Sequence, residues 1–137
     1  MYGKAFVDTN IFVYAALKSM DNLEKWRLAV ELLNSPCSVV VSTQVLNEFS
    51  SVLLRQKIAD HDIKSRVDNI ASDSTVATIT LETINMAWNV RHRYKFSYWD
   101  SLIVTSALQA GCTTLYSEDL SHDMVLDKKL RIVNPFA

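Results

Sequence analysis

Glycine and proline are nearly missing from this chain, two of each in 137 residues. That excludes collagen-like repeats and flexible linkers and leaves few forced breaks in regular structure. Cysteine is as scarce: Cys37 and Cys112 stand far apart, neither in a Cys-x-x-Cys pair. No disulfide framework or zinc ribbon follows from them, and reduced, packed thiols in a cytoplasmic protein are expected. His61, His92 and His122 are scattered, none at the helical spacing of a zinc pair. No apolar run reaches membrane-spanning length. The opening MYGKAFVDTN meets an aspartate too soon to read as a secretory signal. Positive charge is not in excess either, since 14 Lys and Arg against 15 Asp and Glu give a net charge of −1. Any nucleic-acid function therefore has to come from local placement of charge.

What is present is 49% hydrophobic content, enough for a core in one domain, expected over residues 1–137. Short apolar runs predict five strands: Lys4 to Val7, Ser38 to Val41, Val76 to Ile79, Thr113 to Tyr116 and Leu130 to Val133. Helical periodicity covers Ile11 to Lys18, Leu23 to Leu33, Thr43 to Gln56, Asp60 to Ile70, Leu81 to Tyr94 and Tyr98 to Ala110, the last stopped by Gly111. Strands alternating with helices imply a mostly parallel sheet covered on both faces. Such sheets hold their sites beyond the carboxyl ends of the strands, where strand order reverses.

Four acidic positions fall where such a site would form. Asp8 ends the first apolar run and leads with Thr9 and Asn10 into a helix, which also makes it an ordinary N-cap. Glu48 borders the stripe Val45, Phe49, Val52, Leu53 of its helix; the alternative is a glutamate that reaches water and pairs with Arg55. Asp100 lies in the first turn of YWDSLIVTSALQAG, a helix apolar on nearly every side, and shares a face with Ile103, Val104 and Ala107. A charge there needs compensation, by a cation or by a capping role near Ser97. Asp119 follows the fourth strand in TTLYSEDL, and either it or Glu118 can point inward. Carboxylates gathered in one crevice repel unless a cation sits among them, and an all-oxygen set without paired His or Cys suits Mg2+ or Mn2+. Such ions activate water and steady the leaving oxygen of a phosphodiester.

In this order and spacing the segments FVDTNIFVY, STQVLNEF, YWDSLIVTSALQAGC, TTLYSEDL and LRIVNPF resemble the PIN-domain family, in particular VapC-type ribonuclease toxins. The resemblance spans almost the whole chain. It implies an α/β/α sandwich around a mostly parallel five-stranded sheet, Mg2+- or Mn2+-dependent cleavage of single-stranded RNA, and a homodimer inhibited by a small antitoxin. It carries the metal-binding acids to Asp8, Glu48, Asp100 and Asp119, and the polar supporting positions to Thr9, Asn10 and Ser117. One departure stands out: many relatives have glycine where this chain has Asp123, which bears on the local turn and on the charge of the rim.

Arg91 and Arg93 belong to the densest positive run, Arg91-His92-Arg93-Tyr94-Lys95, just before Tyr98 and Trp99. Cations ending a helix are favourable for local reasons, and here they are also candidates for contacting the phosphate backbone, with base stacking beside them. Lys18, Arg55 and Lys57 carry less weight, and Trp26, Trp88 and Trp99 read as core or interface residues. Three other functions compete. An aspartyl phosphatase wants a second aspartate where Asn10 stands. A receiver-like domain has no use for Glu48 on a mid-chain helix. An inactive PIN module that only binds RNA or protein gains nothing from four clustered acids.

Overall fold

The computed structural model describes residues 3–137. Its strands are β1 (Lys4–Val7), β2 (Ser38–Ser42), β3 (Thr75–Ala77), β4 (Thr114–Tyr116), β5 (Val125–Leu126) and β6 (Leu130–Val133). Its helices are α1 (Thr9–Ala16), α2 (Leu23–Leu33), α3 (Thr43–Arg55), α4 (Asp60–Asp73), α5 (Leu81–Tyr94) and α6 (Tyr98–Gln109), with a 3-10 turn at Met20–Asn22. The sheet order is β3-β2-β1-β4-β6-β5. All neighbours are parallel except β5 and β6.

The expected five strands thus gain a sixth, two residues long and antiparallel. Asp127 and Lys128, with φ of 51° and 56°, form the turn between β5 and β6. Two successive left-handed residues usually announce themselves as Asn-Gly or Asp-Gly. Asp-Lys does so less plainly, and the hairpin was not legible. Asp123 likewise adopts φ 67°, a left-handed conformation that favours glycine. Its amide reaches Ile132 O and its carboxylate faces His122, leaving it off the acidic rim.

The helices fall into two packed groups, α1 with α2 and α3 and α3 with α4, against α5 on α6. The result is an α/β/α sandwich. Phe6, Val7, Val40, Val41, Leu115 and Ile132 supply the sheet to a core completed by Ile11, Phe49, Leu53, Val104 and Ala107. In α6 every residue from Ser101 to Ala107 is buried, as its all-round apolar pattern predicts. Cys37 and Cys112 are free, and burial pushes the Cys112 thiol up to about 11, as for an inert core thiol. Chain order reverses at β1, which has β2 on one side and β4 on the other. The carboxyl ends of β1 and β4 are therefore the place to look for a site.

Candidate active site

Asp8 follows β1 directly. Its amide donates to Tyr116 O at 3.0 Å, which stitches it to the end of β4. It is the N-cap of α1, accepting from Thr9 N at 2.7 Å, and its carboxylate also lines a cavity. The second carboxylate oxygen accepts from Ser117 Oγ at 2.9 Å, and that hydroxyl in turn accepts from Asp119 N at 3.3 Å. Thr9 Oγ1 donates to Glu48 Oε2 at 3.1 Å, and Asn10 Nδ2 donates to Asp119 Oδ2 at 3.3 Å. The Asp-Thr-Asn segment is therefore a hub: Asp8 supplies one carboxylate, and the next two residues reach two others, Glu48 and Asp119.

Glu48 projects from α3 beside its buried stripe. Gln44, one turn earlier, donates from one Nε2 to Glu48 Oε1 at 2.8 Å and to Trp99 O at 3.2 Å. That bond ties α3 to the start of α6, where Asp100 stands. Ser97 Oγ caps α6 by accepting from Asp100 N, so the cap uses the backbone of Asp100 rather than its carboxylate. Asp8, Glu48, Asp100 and Asp119 line one cavity of about 520 Å³ with Thr9, Asn10 and Gln44.

The electrostatics follow from this crowding. Burial, with added repulsion from Glu48 and Asp119, pushes the Asp8 carboxyl up to about 6, although Thr9 and Ser117 act against the shift. Asp119 is raised as well, by desolvation first and then by Glu118 and Asp100. The side chains offered to a cation present oxygen: the four carboxylates, with Asn10 Oδ1 and Gln44 Oε1, both buried without a hydrogen-bond partner. Among the described residues, no three Asp, Glu, His or Cys side chains close tightly enough to make a finished metal cage. Mg2+ keeps several waters and takes one or two carboxylates directly, so a looser all-oxygen wall fits its chemistry.

The sequence model of the PIN domain matches residues 5–125. The chain belongs to the PIN-domain family. No curated protein sequence matches it significantly. Solved structures with similar folds include VapC20 of Mycobacterium tuberculosis, described as a toxin cleaving the sarcin-ricin loop, at TM-score 0.65 and 19% identity over 81% of this chain and 86% of that one. A toxin–antitoxin complex from Klebsiella pneumoniae superposes at TM-score 0.70 and 17% identity over 96% and 97%. VapBC2 from Rickettsia felis, bound to a DNA fragment from its promoter, does so at 0.65 and 18% over 96% and 99%. At these identities the likeness is one of fold.

In this PIN domain the choice between Glu118 and Asp119 is made by neighbours. Glu118 is held by Lys25 and by Tyr14 OH, outside the cavity lining, while Asp119 faces in. Arg91 and Arg93 do not join the acids: Arg91 donates to Phe96 O and Arg93 pairs with Asp127. The cation that lines the acidic cavity is Arg55, which bonds Ser51 rather than Glu48. Sequence reading missed Gln44 altogether. Its one signal is its place a turn before Glu48 on the same face. Trp88 and Trp99 are 56% and 63% exposed and do not belong to the core.

Proposed function

We propose that this PIN domain is a metal-dependent endoribonuclease that takes Mg2+ or Mn2+ and hydrolyses RNA phosphodiester bonds. The observation that supports this reading is one cavity, at the carboxyl ends of β1 and β4, lined by Asp8, Glu48, Asp100 and Asp119. These four would hold the ion; Thr9, Asn10 and Ser117 keep the carboxylates of Glu48, Asp119 and Asp8 in place through the bonds described above. When bound, such an ion lowers the pKa of a water and offsets charge on the phosphoryl oxygens. Arg91 flanks the approaching RNA in this proposal, with Arg55 nearer the acids, whereas Arg93 is taken up by Asp127. Purified protein should cleave RNA with Mg2+ or Mn2+, and chelation or Asp100→Asn should abolish cleavage. Undiminished cleavage by that variant would remove Asp100 from the site.

The fold shared with toxins and toxin–antitoxin complexes supports a finer reading. The chain would be the toxin of a type II toxin–antitoxin pair, homodimeric, cytoplasmic and restrained by a small antitoxin. No helix among the described residues is long and apolar enough to cross a membrane. Expression without its partner should arrest growth, and expression of Asp100→Asn should not. The looseness of the carboxylate wall favours one competing reading, an inactive PIN module that binds RNA or protein. Calorimetry with Mn2+ separates the two, because the inactive module takes up no ion at the acidic wall.

A further inference from the structure

Two of the largest exposed apolar groups on the surface are indoles, Trp88 at 56% and Trp99 at 63% exposure. They are not scattered. The Tyr98 ring lies between them, its centroid 4.9 Å from that of Trp88 and 5.3 Å from that of Trp99. Trp99 lines the acidic cavity, so the strip begins at the site. At its other end Trp88 lines a second hollow of about 400 Å³ with Arg91 and His92, one turn on along α5, and Lys95, which caps that helix. Arg91 and Lys95 form no salt bridge with a carboxylate among the described residues.

An acidic cavity on a chain of net charge −1 repels the polyanion it is proposed to cut. Affinity must then come from beside the cavity. Stacking on indole faces does not depend on charge, and nearby cations can meet the phosphates. We propose that Trp99, Tyr98 and Trp88, with Arg91 and Lys95, form a track for single-stranded RNA that leads into the acidic cavity. Bases stack on the two indoles, Tyr98 props both rings, and the backbone runs past Arg91 and Lys95. An acidic peptide would satisfy the cations but offer the indoles no flat partner.

The proposal rests on the ribonuclease reading, but its test does not need cleavage. Binding of a fluorescein-labelled single-stranded RNA of about ten nucleotides is measured by anisotropy in EDTA. Trp88→Ala should weaken binding about tenfold, the loss of one stacked base, while Trp88→Phe keeps most of it. Arg91→Ala and Lys95→Ala should each flatten the slope of log affinity against log salt by about 0.7. Wild-type affinity in Trp88→Ala, or no RNA binding by the wild type, overturns the track. So does a Trp88→Ala variant whose only change is a smaller sedimenting species, which would assign the strip to a second copy. If the wild type binds RNA through Trp88 yet cuts nothing with Mg2+ or Mn2+, the track stands and the nuclease reading falls.

Discussion

Asp8 is the residue at which fold and function conflict. Its carboxyl is held near 6 in the folded chain against an ordinary value of 3.8. Between those values the folded state keeps a proton that the unfolded state has released, so stability falls as pH rises from about 4 to about 6 and then levels off. By linkage the effect is about 3 kcal/mol. Asp8→Asn should remove this dependence and raise stability above pH 7 by about 1–3 kcal/mol in EDTA, while ending cleavage; urea titration across pH checks the first part and an RNA assay the second. A destabilised variant would mean that Asp8 is held by its bonds more than it is strained by its neighbours. Gln44 offers a second test at this scale. Gln44→Ala frees Glu48 Oε1 and unties α3 from Trp99 O. Cleavage should drop about 10- to 100-fold with the fold intact by circular dichroism.

Among the elements, α6 and the β5–β6 hairpin carry the clearest backbone demands. Helix α6 ends at Gly111, whose φ of 74° no L side chain adopts easily, and a Cβ there would meet nothing within 4 Å. Gly111→Ala should therefore cost about 1 kcal/mol, for conformational reasons alone. The opposite change suits the hairpin. Lys128 sits at φ 56° in the second turn position, so Lys128→Gly should stabilise by about 0.5–1 kcal/mol, read from the midpoint of chemical unfolding. The helices that bear Glu48 and Asp100 were legible for different reasons, α3 from the periodic stripe of Val45, Phe49 and Leu53 and α6 from its all-round apolar pattern closed by Gly111. The β5 strand was not, since two residues give no period to read.

For the whole molecule, the four carboxylates act as one charged wall, and a cation that binds there should stabilise the fold. At a hundred times its dissociation constant, Mg2+ or Mn2+ should add about 2.7 kcal/mol, seen as a rise in melting temperature that EDTA reverses. Asp100→Asn should lose most of that rise. A melting temperature indifferent to either ion would argue against a metal at this wall and for the binding module.

The placing of acids at strand ends and beside helix stripes, and the α/β alternation, could be read from the chain because each depends on neighbours along it. An apolar run ending in an acid marks a strand end, and a stripe marks a buried helix face. Orientation across the sheet could not be read that way. Lys25 and Tyr14 turn Glu118 aside, Asp127 occupies Arg93, and Gln44 spans from α3 to α6. Each of these pairings joins residues remote along the chain, so only packing of the layers brings the partners within hydrogen-bonding reach. The same packing leaves Trp88 and Trp99 outside the core, which removes the first of the two readings, core or interface, that the sequence offered for them.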